Sequence, residues 1–234
     1  MDERFERTAM LLGLEALPRL QRAHVAIVGL GGVGSYAAEA VVRAGVGELT
    51  LVDCDTVSVT NINRQLCALT STVGQRKTEV TARRAADINP DAVIHPLELF
   101  YSPEARDTLF TRRFDYIIDA IDTVSAKTDL IYTAIARGVP IVSALGTGNK
   151  LHPELLRFAD IYETSVCPLA RAMRRELRRR GVAAHTVLYS TEEPRGATGS
   201  ANGRNYPGSV SWVPGCAGLM LAGHVVTALS GIQD

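Results

Sequence analysis

The chain has 234 residues, 46% of them hydrophobic and 21% charged, and a formal net charge of zero, the profile of an ordinary soluble globular protein long enough to bury a full core. Neutrality excludes a global field for nucleic acid, so such binding has to come from a local patch. Met1-Asp2-Glu3-Arg4 is too charged to open a signal peptide, and the cysteines at 54, 67, 167 and 216 form no CxxC pair, so a reduced cytoplasmic setting without a structural cysteine–zinc site is expected.

Taken in order, Phe5–Leu20 reads as an N-terminal helix and connection ending near Pro18. Strand Val25–Gly29, helix Ser35–Ala44 and strand Leu49–Asp53 come next, then a helix over Gly74–Ile88 that stops before Asn89-Pro90, because the residue before proline is driven out of the helical region. Ala92–Leu97 reads as a strand, Pro103–Phe110 as a short helix and Tyr116–Ile121 as a very apolar strand. Helix Ser125–Arg137 and strand Pro140–Ala144 complete a run in which strands alternate with helices. That rhythm predicts an α/β fold, Rossmann-like, with a mostly parallel sheet, helices on both faces and a C-terminal elaboration. Residues 1–150 form the expected nucleotide-binding core and 151–234 an elaboration of the same domain for substrate binding and dimerisation.

Beyond Asp160-Ile161-Tyr162, helix Leu169–Arg180 sets Leu169, Met173 and Leu177 on one face against Arg171, Arg174, Arg175 and Arg178. Those arginines are either a solvated face or a phosphate-tracking surface for a nucleic acid. His185–Ser190 reads as a strand, and the small, polar, glycine-rich Thr191–Ser209 as a mobile loop. Val213–Ile232 carries no charged residue and is long enough to span a bilayer. Its Pro214, Gly215, Gly218, Gly223 and His224 dilute its hydrophobicity, which favours a helix buried in the core or a dimer interface over membrane contact.

The chemistry concentrates in Ala26-Ile27-Val28-Gly29-Leu30-Gly31-Gly32-Val33-Gly34 and in the polar residues downstream of it. A strand running into Gly29, Gly31, Gly32 and Gly34 and out into a helix offers close backbone approach and a helix N-terminus to a phosphate. Asp53, ending the second strand, is spaced to bind ribose hydroxyls. That much suits a dinucleotide enzyme as well. The chain then adds Asp55, Asn61, Asn63, Arg64, Gln65 and Lys77. Extra cations serve a triphosphate whose α-phosphorus is attacked better than they serve a seated pyrophosphate, so ATP is favoured over NAD.

The pattern GxGGxG, DxD, NxxRQ, Gly74-Gln75-Arg76-Lys77 and Asp119-Ala120-Ile121-Asp122 resembles the ThiF/MoeB adenylating superfamily, which includes ubiquitin-activating enzymes, over residues 4 to about 150. The resemblance implies adenylation of a carboxylate by ATP, with Asn61, Arg64 and Lys77 on the phosphates, Gln65 a weaker contact, and Asp122 holding or organising Mg²⁺. Asp122 as a cap for the helix after it is the alternative, and Asp55 is open between nucleotide contact and turn cap. Arg4-Phe5-Glu6-Arg7 resembles the start of relatives whose second arginine crosses a dimer interface. That would make Arg7 a finger onto the partner subunit's triphosphate. Asp119 and Cys167 read as structural, and no cysteine is assigned catalysis.

Pro168-Leu169-Ala170, Met173-Arg174-Arg175-Glu176-Leu177, Tyr189-Ser190-Thr191-Glu192 and Val213-Pro214-Gly215 resemble the branch of that superfamily that dehydrates threonylcarbamoyladenosine in tRNA. That branch implies tRNA as the partner, a homodimer, and leaves a sulfur-transfer protein open as a further partner. The rivals are adenylation of the C-terminus of a ubiquitin-like sulfur-carrier protein, whose enzymes commonly hold the zinc this chain lacks the CxxC pairs for, an NAD(P)-dependent oxidoreductase, and a nucleotide-binding regulator without turnover.

Overall fold

The computed structural model describes residues 2–196, 198–201 and 204–232. In chain order the elements are α1 (Glu6–Leu12), α2 (Ala16–Arg22), β1 (His24–Val28), α3 (Gly34–Arg43), β2 (Glu48–Asp53), α4 (Lys77–Ile88), β3 (Val93–Glu98), α5 (Arg106–Leu109), β4 (Tyr116–Asp119), α6 (Val124–Ala136), β5 (Ile141–Ala144), β6 (Leu156–Asp160), α7 (Pro168–Arg179), β7 (Thr186–Ser190), β8 (Thr198–Ala201), β9 (Arg204–Pro207) and α8 (Trp212–Ser230). Seven strands form one sheet in the order β3-β2-β1-β4-β5-β7-β6. Every pair in it is parallel except β6–β7. The expected α/β architecture with helices on both faces is therefore what the chain adopts.

Hydrophobic burial explains the layering. In the central strand β1, alternate side chains feed opposite cores, and no residue of the strand is exposed. Val25 and Ile27 pack with Val41 of α3, Ala85 of α4 and Leu221 of α8 on one side. Ala26 and Val28 pack with Leu109 of α5, Leu130 of α6 and Met173 of α7 on the other. A strand buried on both faces needs apolar residues at consecutive positions, which is how His24-Val25-Ala26-Ile27-Val28 reads. The segment beyond residue 150 contributes β6, β7 and α8 to this same sheet and core.

Several sequence expectations shift. The N-terminal helix breaks at Gly13, whose φ of +86° no side-chain-bearing residue adopts easily. Pro18 does not end that region: it sits in the first turn of α2, where its missing N–H costs nothing. The helix expected from Gly74 begins at Lys77, because Gly74 has φ +87° and Arg76 is extended. The apolar Tyr116–Ile121 strand stops at Asp119, whose side chain turns back to accept from the Ile121 N–H at 3.1 Å. Strand β6 is not anticipated by the sequence pattern. The 191–209 loop contains a hairpin, in which Thr198 pairs with Pro207 and Gly199 with Tyr206.

The charge-free C-terminal segment forms α8, long and apolar enough by composition to cross a membrane. Here Ala217, Leu221 and Val225 are fully buried in the core against α3 and the sheet. Gly218 makes that packing feasible: a Cβ there would sit 2.2 Å from the Val33 carbonyl oxygen. Gly218→Ala should thus lower stability by about 3 kcal/mol, as overpacking does. Thermal unfolding should show a midpoint lower by roughly 6–12 °C for a chain of this size. An unchanged midpoint would mean that the helices separate freely.

Candidate functional site

The sheet reverses its winding between β1 and β4: the chain moves outward through β2 and β3, then returns to the other side of β1. Open α/β sheets bind ligands in the crevice at the carboxyl ends of the strands at such a point. A cavity of about 530 Å³ occupies it, walled by Gly29, Gly31, Asp53, Asp55, Asn61, Arg64, Gln65, Lys77 and Asp122, among others. Its volume lies in the range of small-molecule sites.

The glycine turn is shaped by two close approaches. Gly29 has φ +92°, and a Cβ on it would stand 2.8 Å from the Ala120 carbonyl oxygen. At Gly34 a Cβ would lie 1.7 Å from the Gly29 oxygen. Gly34 therefore lets the turn fold onto itself. Gly32 faces Pro214 at the start of α8, where a Cβ would sit 3.1 Å from the ring. Of the four glycines expected at the nucleotide, Gly29 and Gly31 line the cavity, while Gly32 and Gly34 shape the turn behind it.

Asp53 is tied down as well as placed. One carboxylate oxygen accepts from the Leu30 N–H at 2.7 Å and the other from the Asp55 N–H at 2.8 Å. The acid that faces the cavity thus also anchors the glycine turn to the end of β2. Each oxygen keeps a lone pair for a hydroxyl donor.

Lys77, at the start of α4, is only 4% exposed. Its ammonium lies 2.8 Å from Asp55 Oδ2 and 3.9 Å from Asp53 Oδ1. The hydrogen bond from Lys77 holds the Asp55 carboxyl below the usual carboxylate range, against the opposing effect of burial. Asp55 contacts Lys77 directly, an arrangement that sequence spacing does not reveal. Arg64 donates to the Thr60 carbonyl and to Asn63 Oδ1, both at 2.9 Å. Asn61 Oδ1 accepts from the Ser58 N–H and closes the turn that carries this group. Asn63 instead donates to the Ser209 carbonyl at 3.0 Å, joining the turn to the segment ahead of α8.

Gln65, the weaker expectation, is 6% exposed, and its Oε1 is buried without a hydrogen-bond partner. An orphaned acceptor at a cavity wall costs about 1–3 kcal/mol unless a ligand or water meets it. Asp122, also on the cavity wall, is exposed on the loop between β4 and α6, with the Thr123 hydroxyl 3.5 Å from one oxygen. It is set apart from Asp119, which is fully buried in an ion pair with Lys127 at 2.8 Å.

Leu99, Phe100 and Tyr101, just past β3, also line the cavity. Phe100 is 60% exposed and offers an aromatic surface beside the polar wall. Sequence reading missed them, although their place beyond the carboxyl end of a strand was a usable signal. Cys54 lies there too, and burial followed by the Asp55 and Asp53 charges pushes its thiol up, so it is protonated rather than nucleophilic at neutral pH. Arg7, on α1, does not line this cavity. Neither do Arg171, Arg174, Arg175 and Arg178, which all lie on α7. Cys167 is buried at the foot of that helix.

Fold and cavity together define a nucleotide-binding α/β protein with a phosphate turn, a buried cation and an exposed carboxylate at the switch point. The ThiF family model matches residues 5–234, and the chain belongs to the ThiF family. It is 40% identical to a tRNA threonylcarbamoyladenosine dehydratase of Bacillus subtilis, over 98% of this chain and 95% of that protein. The fold matches E. coli tRNA N6-threonylcarbamoyladenosine dehydratase, TcdA, solved in complex with ATP, with a TM-score of 0.89, 33% identity, and coverage of 97% of this chain and 93% of that one. A molybdopterin-synthase adenylyltransferase of Salmonella typhimurium is 37% identical over 60% of this chain and 57% of its own length.

A buried polar chain supports the loop that carries Asp122. Ser143 donates to Asp119 Oδ2 at 2.6 Å, and His185 Nε2 lies 2.8 Å from the Ser143 hydroxyl. Lys127 also donates to the Ile121 carbonyl at 2.9 Å. Burial, reinforced by the Lys127 charge, pushes His185 down to about 3. The unfolded histidine takes up a proton near the ordinary value of about 6.5. The folded pKa is depressed, so this contribution to stability is complete above about pH 6.5 and is lost as pH falls towards 3. His185→Gln should make the urea-unfolding free energy fall less steeply between those limits, with both proteins measured at each pH. Parallel pH profiles would place the acid sensitivity elsewhere.

Proposed function

We propose that this protein is an ATP-dependent tRNA threonylcarbamoyladenosine dehydratase. The observation that carries the reading is the wall of the cavity, in which a glycine turn, the buried Lys77 ammonium and Arg64 face an exposed Asp122. Similarity running almost the whole length of a dehydratase supports this reading over one confined to the adenylating half. The reaction joins the substrate carboxylate to the α-phosphate of ATP with loss of pyrophosphate. A substrate group a few bonds away then closes the ring with loss of AMP, gaining the advantage of an intramolecular step.

Each residue has a part in this. Gly29 and Gly31 let the phosphates approach the backbone, and Asp53 accepts from ribose hydroxyls. Lys77 and Arg64 meet the negative charge that grows on the phosphates during attack. Asn61 holds the turn that positions Arg64, and Gln65 supplies the unpaired acceptor that a bound group satisfies. Phe100 offers a face for the base. The residues present also fit a magnesium ion: Asp122 is an exposed oxygen donor, and Mg²⁺ is typically held through one or two carboxylates together with substrate phosphates. Asp122 would hold it, shielding the phosphate charge.

The tRNA surface is α7. Ala170, Met173 and Leu177 are buried beneath it, and the arginines lie on its other sides. They are not equally available. Arg174 donates to the Thr164 carbonyl at 2.8 Å and to its hydroxyl at 2.6 Å, and Arg178 lies over the Tyr162 ring at 4.8 Å. Arg171 and Arg175 are exposed and are the better phosphate contacts. Pyrophosphate release should rise with tRNA bearing threonylcarbamoyladenosine and remain at background with a ubiquitin-like carrier or a sulfur-transfer protein. Arg171→Glu with Arg175→Glu should weaken tRNA binding and reduce its log–log salt slope by roughly 1.4–1.8, while ATP binding is retained. Stimulation by the carrier instead of tRNA would sink the dehydratase reading.

The protein acts as a homodimer. Met10, Leu11 and Leu14 are 74%, 83% and 67% exposed at α1 and just beyond it, beside the exposed Arg7. Such a surface is best satisfied by a second copy, which would carry Arg7 onto the partner's phosphates. Arg7→Ala and Lys77→Ala should each be nearly inactive alone. An equal mixture of the two should recover about one quarter of wild-type activity, because each hybrid dimer contains one intact site. Verified mixed dimers that stay inactive would rule out a finger acting in trans.

A further inference from the structure

The amino ends of three neighbouring strands, at the opposite end of the sheet from the nucleotide cavity, carry a second polar cluster. His24 opens β1, Glu48 opens β2, and His95 is the third residue of β3. Parallel pairing sets His24 beside Glu48 and Thr50 beside His95. Side chains two apart on a strand share a face, so all four project to the same side of the sheet. Glu48 Oε1 lies 2.8 Å from His95 Nε2 and 3.4 Å from His24 Nδ1. The other ring nitrogen of His24 lies 2.8 Å from Thr50 Oγ1, and the Phe114 ring stands edge-on to it at 4.9 Å.

We propose that His24 Nδ1, His95 Nε2 and the Glu48 carboxylate form a binding site for one divalent ion of the zinc class. Three observations carry this. The donors are two imidazoles and a carboxylate, the set that suits zinc and its first-row neighbours rather than magnesium or calcium. Their ligand atoms all lie within 4.8 Å of one another. Four ligands around a tetrahedral zinc ion stand about 3.3 Å apart, given bonds near 2.0–2.1 Å, so the observed separations need only small side-chain shifts. Finally, Thr50 fixes the ring of His24 through the nitrogen that faces away from Glu48. Metal-binding histidines are typically oriented in this way by a partner on the other nitrogen.

The site is built on strands and open on one side. The His24 side chain is 9% exposed, His95 23% and Glu48 38%, leaving room for water in the fourth position. Arg112 reaches from solvent to within 3.5 Å of His95 Nε2. It has to swing outward when the ion enters, which lowers affinity and keeps the site reversible. An occupied site ties β1, β2 and the edge strand β3 together, and an ion bound to the folded chain alone raises stability by mass action.

The test uses the full chain stripped with a chelator. Zn²⁺ is titrated calorimetrically, Co²⁺ by its visible absorption, and unfolding is followed with and without Zn²⁺. The wild type should take up a single ion at this cluster and unfold at higher temperature with it. His95→Ala and Glu48→Gln should each weaken binding by at least about tenfold and remove the thermal shift. His95 lies on the edge strand and Glu48→Gln keeps the side-chain shape, so at least one variant folds. Cys54→Ser serves as the control, because Asp53, Cys54 and Asp55 form a separate group of donors in the nucleotide cavity, and it should leave the uptake intact. A wild type that takes up no ion, undiminished binding in His95→Ala and Glu48→Gln, or uptake lost in Cys54→Ser would each overturn the proposal.

Discussion

The buried ion pair between Asp119 and Lys127 is the constraint on which the site depends. Both side chains are fully excluded from water. Removing one partner from such a pair strands the other charge, at a cost of about 3–5 kcal/mol. The pair is also satisfied in detail: Ser143 and the Ile121 N–H reach Asp119, while Lys127 reaches the Ile121 carbonyl. β4, the loop after it, α6 and β5 are therefore bound to one another at the point where the sheet changes direction. The consequence is local. Asp119 turns inward and ends the strand, the chain makes a short connection, and Asp122 emerges in solvent at the rim of the cavity. A flexible loop could carry the same carboxylate, but it could not hold it next to the glycine turn, whose Gly29 packs against Ala120.

The other wall is set by a second carboxylate. Asp53 holds the Leu30 N–H and the Asp55 N–H, so the turn and the segment after β2 move as a unit with that strand. Asp55 then neutralises Lys77 at close range. This pairing keeps a nearly buried ammonium from being left alone in a low-dielectric setting. It also fits an exchange mechanism. In the proposed reaction, phosphate oxygens entering the cavity would offer Lys77 a second set of anionic acceptors, and Asp55, whose side chain is 62% exposed, could turn outward into water at little cost. The cation is thus kept in place before any ligand binds, as electrostatic preorganisation requires.

The fold was legible because its signals are periodic and local: doubly buried strands, glycine at a strand-to-helix turn, and proline after a helix. That Gly29, Asp53 and Lys77 would meet at one cavity could be read for the same reason, since each stands at the end or start of an element. What escaped depends on long-range contact. The pairing of Lys77 with Asp55 spans 22 residues, and Ser143 meets His185 across 42; neither has a spacing rule. β6 was missed because Leu156-Arg157-Phe158-Ala159-Asp160 alternates only weakly and becomes a strand through pairing with β7. The hairpin at 198–207 was hidden by glycine and proline, which disfavour strands in general and tolerate them at edges.

Arginine content misleads where availability decides. α7 reads as a uniformly basic face, yet Arg174 is spent on Thr164, Arg179 on Glu176 at 2.7 Å, and Arg180 on Asp129 at 3.2 Å. Asp129 is itself almost fully buried, with Arg106 and Tyr101 on the same carboxylate. Part of the positive charge on this helix therefore fastens it to α6 at Asp129, two residues on from Lys127 in the half of α6 that follows the Asp122 loop. The division is useful to an enzyme that must align a large nucleic acid with a small nucleotide. The inward arginines fix the angle of the helix to the core that shapes the cavity, and the outward ones remain free to meet phosphates. A helix joined to the core by apolar contacts alone could rock under the pull of tRNA. Fastened by charge at its carboxyl end, it would carry a tRNA docked there as proposed in a constant relation to the nucleotide cavity.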